Sequence, residues 1–410
     1  MKRIALTIIA VAAAIAATAQ VKPGIEVLRD RNFDILQGKR VGLITNPSGV
    51  DNKLRSTIDI LNEAPGVRLT ALYGPEHGVR GDVHAGDHVG NSADAATGVP
   101  VYSIYGKYRK PTAEMLDSVD VLVYDIQDNG CRSFTFISTM GLAMQTCAEL
   151  GKEFVVLDRP NPAGADKIEG CVVEDSCFSF VSQFPIPYLY GLTPGELALY
   201  LNGEGLVPGG AKTKLTVVPM EGYERRMTFG DTGMPWVLPS PHQPNAESAL
   251  YYPATGILGE LYYVSIGVGY TLPFKLVAAD WIDAAELNRR LTALDIPGVL
   301  FRPIHIKPFY GTGKGEDLQG VEIYVTDAQA APLTLIQFYI LQELAEMYPD
   351  RRVMDMPEAS KRFGMFDKVV GSKQIRRLFT PRHRVADMLD YWNKDVEPFR
   401  AASSKYHLYK

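Results

Sequence analysis

The chain predicts an α/β fold built on a doubly wound, mostly parallel sheet and followed by a smaller mixed α/β part. Two observations carry this. Short β-rich runs at Arg40–Asn46, Leu69–Tyr73, Val99–Tyr105, Val119–Asp125 and Lys152–Asp158 alternate with helical patterns at Ser56–Ala64, Thr112–Ser118 and Ile137–Leu150. That alternation is the mark of strands joined by crossover helices. The residues after each run are also unlike loop filler, which matters because open α/β sheets bind ligands outside the carboxyl ends of their strands.

Lys2 and Arg3 precede an apolar run, Ile4–Ile15, too short to span a bilayer, and Ala17-Thr18-Ala19 offers small residues for cleavage. Residues 1–19 therefore read as a secretory signal, and the mature chain as exported, periplasmic or secreted. No later run is apolar enough to span a membrane. Residues 20–246 are expected to form the catalytic N-terminal domain and 247–410 a C-terminal α/β domain that completes its cleft. The proline-rich stretch Pro235–Pro244 marks the junction.

A chain of 410 residues, nearly half apolar, buries a sizeable core, and its formal charge of −5 gives no general attraction to nucleic acid. Four cysteines, Cys131, Cys147, Cys171 and Cys177, match no zinc pattern. The close pair Cys171 and Cys177 permits a disulfide that a protein of this size does not need. No dinucleotide fingerprint or P-loop opens the first helix, so no cofactor is implied.

The first strand delivers Asn46 and the second Glu76, His77 and Arg80 in a loop whose glycines at 74, 78 and 81 permit tight turns. After the third come Lys107, Arg109 and Lys110. The fourth brings Asp125, Gln127, Asp128 and Arg132, and the fifth Asp158, Arg159 and Asn161. One rim holding carboxylates, cations and amides suits a hydrolase or binding cleft for a polar, anionic ligand. A glutamate beside Leu72 and Tyr73 is a candidate general acid, whereas pairing with Arg80 would lower its pKa and suit it to a base or a structural anion. His77, Asp82, His84, Asp87 and His88 crowd one short segment, which leaves a metallohydrolase open although the spacing matches no standard zinc signature.

In the C-terminal part, Trp281–Leu294 and Leu333–Met347 read as amphipathic helices and Gly320–Thr326 as a strand. Gly311-Thr-Gly-Lys-Gly315 lacks the features of a P-loop and is expected to be a mobile loop.

Gly74–Gly81, Val101–Lys107, Asp120–Asp128, Val155–Pro162 and Pro235–Pro241 together resemble the motifs of the NamZ family. The resemblance implies an exported exo-β-N-acetylmuramidase that releases N-acetylmuramic acid from non-reducing ends of peptidoglycan fragments. It also implies a Rossmann-like N-terminal domain joined to a smaller C-terminal one, with the active site between them. Glu76 is then the expected proton donor, with His77 orienting it or bonding a sugar hydroxyl, and Asp125 or Asp128 the second catalytic group, activating water or orienting the substrate's acetamido group. Asn46, Arg80, Lys107, Arg109, Gln127, Arg132, Asp158, Arg159 and Asn161 are expected to bind substrate, an arginine meeting the lactyl carboxylate of muramic acid. Peptidoglycan fragments or muropeptides are the implied partners, with no protein partner identifiable.

The segment Glu260–Thr271 departs from the family pattern. Ile266 and Val268 replace a charged pair and Tyr263 an asparagine, so Glu260, Tyr263 and Tyr270 are expected to reshape substrate contacts, the tyrosines by stacking on sugars. This departure favours, as a different class, a non-catalytic carbohydrate- or muropeptide-binding protein. A metal-dependent hydrolase of an anionic sugar derivative stands third.

Overall fold

The computed structural model describes residues 20–81, 92–106 and 108–410. The expected signal segment, Lys107, and Asp82, His84, Asp87 and His88 lie outside these residues.

The N-terminal half is organised by strands β1 (Arg40–Thr45), β2 (Arg68–Gly74), β3 (Ser92–Ala93), β4 (Pro100–Ser103), β5 (Val121–Asp125) and β6 (Glu153–Leu157). After the short antiparallel pair β7 (Ile168–Glu169) and β8 (Leu189–Tyr190), β9 (Lys214–Val218) completes the main sheet in the order β3-β4-β2-β1-β5-β6-β9. All neighbours run parallel except β3 and β4. Counting only its parallel strands in chain order, the sheet reads 3-2-1-4-5-6, the Rossmann arrangement, with its switch point between β1 and β5.

Alternation along β5 shows why this sheet is covered twice. Val121 and Val123 face a core made with helices α1 (Gly24–Asp30) and α2 (Thr57–Glu63), while Leu122 and Tyr124 face the core of α3 (Phe136–Glu149) and α4 (Pro194–Gly203). Local signals fix the helix starts. Ser56 accepts the Ile58 N–H ahead of α2, and Thr193 and Glu196 form a reciprocal capping box at α4, with Pro194 in the first turn. The Thr112–Ser118 pattern yields only a single 3-10 turn, Glu114–Leu116.

The core behind α3 continues without a break into the C-terminal half, taking in Ile257 of α5 (Ser248–Gly259), Leu287 of α6 (Ala284–Ala293) and Ile340 of α7 (Ile336–Met347). It also includes Val277 and Val321 of an antiparallel sheet ordered β10-β12-β11, formed by β10 (Leu276–Ala279), β11 (Val299–Ile306) and β12 (Leu318–Val325). All four cysteines are free and buried, so the Cys171–Cys177 bridge is not formed. Among the described residues no helix is long and apolar enough to cross a membrane.

Candidate active site

A cavity of about 750 Å³ opens where the carboxyl ends of β2 and β4 and the amino end of α3 meet α5 and the segments after it. Two carboxylates line it among the described residues, Glu76 from the N-terminal half and Glu260 from the C-terminal half.

The backbone presents Glu76 deliberately. Pro75 accepts the Gly78 N–H at 3.0 Å, closing a turn in which His77 takes φ 74°, a left-handed conformation that a histidine adopts only at a cost. Glu76 is half-buried, and its Oε1 accepts a hydrogen bond from the Tyr105 hydroxyl at 2.9 Å. Burial, and then the Glu76 charge, push the Tyr105 phenol up to about 12, so it remains a donor at neutral pH. His77 is buried with Nε2 3.5 Å from Ser240 Oγ, and its Nδ1 has no protein partner among the described residues. Arg80 points elsewhere. Its guanidinium binds Asp94 at 2.7 Å and Asp59 at 3.1 Å, so the Glu76–Arg80 pair considered from sequence is not the one the structure makes.

Glu260 follows α5. Burial raises its carboxyl above the ordinary value, opposed by Arg362, whose Nη2 lies 3.2 Å away and whose guanidinium covers the exposed ring of Tyr262. Tyr252 lines the cavity within electrostatic reach of both carboxylates, and its hydroxyl shares a 3.3 Å contact with Ser133. Ser133, Phe134, Thr135 and Phe136 form the next wall as α3 begins, and no side chain caps that helix. The lining cations are Arg109, stacked 4.6 Å over Phe180, and Lys368 from the helix Phe363–Val370. Val264, Ile266, Val268 and Phe274 make an apolar wall, so Ile266 and Val268, expected to depart from the family pattern, lie on the cavity surface itself.

The remaining rim residues form a closed layer beneath. Arg159 binds Asp125 through two nitrogens at 2.5 and 3.0 Å, both side chains almost fully buried, and Thr57 donates to the same carboxylate. Asp158 accepts from Thr193, Tyr409 and the Gly195 N–H, and takes only a backbone N–H from Arg159. Asp128 is fully buried against the Tyr190 hydroxyl, and burial pushes its carboxyl up to about 7. Gln127 donates to the Asp128 and Pro160 carbonyls, and Asn161 to the Leu192 carbonyl. Asn46 donates to the Pro239 carbonyl, tying the turn that carries Ser240 to the end of β1. The Rossmann switch point is thus filled by the chain's own polar groups.

Arg132, expected at the lactyl carboxylate, is fully buried and donates to the Cys171, Ile186, Val369 and Val370 carbonyls and to Ser182. It closes the carboxyl end of the helix that carries Lys368. Tyr263 bonds the Arg351 carbonyl and packs on Trp281, and Tyr270 stacks on Phe309 in a separate hollow. Neither lines the cavity. Of the expected residues that are described, Glu76, His77, Arg109 and Glu260 come together.

Tyr105, Tyr252 and Lys368 were not singled out from sequence. Tyr105 lay in plain view two residues beyond β4. Lys368 had no local signal, because only the fold brings its helix to Glu260.

Family models described as "Exo-beta-N-acetylmuramidase NamZ, N-terminal" and "Exo-beta-N-acetylmuramidase NamZ, C-terminal" match residues 41–247 and 250–409. The peptidoglycan β-N-acetylmuramidase NamZ of Bacillus subtilis is 44% identical over 390 residues, covering 95% of this chain and 92% of that protein. A solved DUF1343-family protein from Bacteroides fragilis superposes with a TM-score of 0.91 at 60% identity, covering 95% of this chain and 99% of its own. A second from the same organism, at 24% identity and a TM-score of 0.72, covers 96% and 99% and shares the fold.

Proposed function

This chain belongs to the NamZ family of exo-β-N-acetylmuramidases and is a glycosidase, and we propose that it is exported and releases N-acetylmuramic acid from the non-reducing ends of peptidoglycan fragments. The observation that carries the mechanism is the placing of Glu76, on a strained turn and held by Tyr105, in a cavity that also contains Glu260. Glu76 protonates the glycosidic oxygen as the leaving sugar departs. Glu260 supplies the second carboxylate. Tyr252 lies within electrostatic reach of both carboxylates and packs beside them in the cavity wall.

Arg109 and the uncapped amino end of α3 offer donors and positive potential to the lactyl carboxylate. The apolar wall from Val264 to Phe274 takes the non-polar face of the sugar. The apolar leader preceding Gln20 is the support for export.

The raised pKa of Glu260 favours a second reading with the roles exchanged, since a general acid must hold its proton near working pH. Release of N-acetylmuramic acid from a muramic-acid-terminated disaccharide by the parent, Glu76→Gln and Glu260→Gln proteins tests both readings. The variant that lacks the acid loses the alkaline limb of the pH profile, and the one that lacks the base loses the acidic limb. A folded parent that binds the disaccharide without cleaving it overturns the assignment.

A further inference from the structure

A second hollow, about 860 Å³, lies between the ends of β11 and β12 and is lined by Tyr270, His305, Lys307, Phe309, Lys314 and Asp317. It is unused by the proposed chemistry. Phe309 is 68% exposed, and its ring is stacked on Tyr270 with centroids 6.1 Å apart and planes 19° from parallel. Tyr270 in turn packs on the small core of Leu276, Ile304 and Leu318, which fixes the platform from below.

The same loop serves both concavities. Gly311 and Thr312 line the active-site cavity, whereas Phe309, Lys314 and Gly315 line the hollow. Thr312 and Lys314 are two residues apart, so their backbones lie at most about 7 Å from each other. The loop expected to be mobile is anchored. Phe309 N–H donates to the Gly269 carbonyl at 2.7 Å, Gly315 N–H to the Pro308 carbonyl at 2.9 Å, and the Tyr310 hydroxyl lies 2.9 Å from Nε2 of His242 in the cavity wall. Gly269, at φ 97°, is needed for this contact, because a Cβ there would stand 1.8 Å from the Tyr310 carbonyl oxygen.

Resting on the proposed exo-acting function, we infer that this hollow is a carbohydrate subsite for the leaving-group side of the glycan. A sugar ring beyond the first leaving-group sugar stacks on Phe309, and the Lys314 ammonium meets the lactyl carboxylate of an internal muramic acid. Lys307 is ion-paired with Asp317 at 2.9 Å, so Lys314 supplies the net positive charge of the hollow. An open, aromatic floor with cations beside it suits a glycan chain whose sugars alternate between neutral and acidic.

The test compares muramic-acid-terminated di- and tetrasaccharides with the parent, Phe309→Ala and Phe309→Trp. The ratio of kcat/KM for the tetrasaccharide to that for the disaccharide falls roughly three- to tenfold in Phe309→Ala, the range of one aromatic contact, and is restored by Trp. An unchanged ratio overturns the subsite. Calorimetric binding of the tetrasaccharide to Glu76→Gln and to Glu76→Gln/Phe309→Ala gives a readout independent of turnover. Weaker binding by the double variant supports the subsite even if the parent cleaves neither sugar, which would refute the glycosidase mechanism alone. Equal binding, or a loss seen only with peptide-bearing glycan, overturns it.

Discussion

Two layers of carboxylates lie at the carboxyl ends of the same sheet and serve opposite purposes. In the lower layer Asp125, Asp128 and Asp158 are wholly enclosed and consumed by Arg159, Tyr190, Thr193 and Tyr409. In the upper one Glu76 and Glu260 face a cavity, each held through one oxygen by a single side-chain partner, Tyr105 or Arg362. The difference is access to the cavity: even Asp128, whose Oδ1 has no protein partner among the described residues, is sealed away from it. A carboxylate enclosed among protein groups holds loops in register, while one that faces a cavity can meet a substrate.

The largest expected effect separates these layers most sharply. Glu76→Gln lowers kcat/KM by about 10²–10⁴-fold and leaves denaturant stability unchanged, because a half-buried acid is replaced by an amide of the same shape. Asp125→Asn does the reverse. It leaves the buried Arg159 guanidinium without its counter-charge, costing about 3–5 kcal/mol in chemical denaturation, while the folded fraction retains its turnover number. Turnover abolished at full stability in Asp125→Asn would move catalysis into the lower layer.

Much of this was legible in the sequence, for reasons that particular residues make clear. The strands of the main sheet announce themselves because both faces are covered, which turns Val121–Asp125 into an unbroken buried run. Glu76 and His77 are visible because glycines on either side mark a turn directly after a strand. Asp125, Arg132 and Arg159 carry the same residue types at equivalent places, and nothing local distinguishes a charge aimed into a cleft from one aimed into the protein. That distinction depends on which distant groups arrive: the Val370 carbonyl at Arg132, or Tyr190 at Asp128. Tyr263 and Tyr270 were misplaced for a related reason, since the chain turns sharply between Tyr262 at φ 49° and Gly269 at φ 97° and sends the two rings to different faces.

A smaller effect tests whether the lower layer is closed to water. Burial holds the Asp128 carboxyl at about 7 in the folded protein, against 3.8 for the unperturbed group. Below about pH 4 both the folded and unfolded states bind the proton. As pH rises from there the unfolded chain releases it first, so the stability contributed by the protonated group declines through pH 7 and levels off above. Asp158, also raised to about 7 by burial, adds a contribution of the same sign. Asp128→Asn should therefore flatten part of the fall in denaturation free energy between about pH 4 and pH 7. An unaltered slope would mean that water reaches Asp128 and that the layer is open.

The smallest expected effect bears on the boundary of the upper layer. Tyr263 was expected to reshape substrate contacts, but its hydroxyl donates to the Arg351 carbonyl and its ring packs against Trp281 outside the cavity. Tyr263→Phe removes one hydrogen bond and leaves one carbonyl to find another partner, a cost of about 1 kcal/mol in stability. Its kcat/KM on the muramic-acid-terminated disaccharide should match the parent. A fall of about tenfold, equivalent to about 1.4 kcal/mol in the transition state, would show that the active site extends past the Val264–Val268 wall and that the two faces of this segment act together.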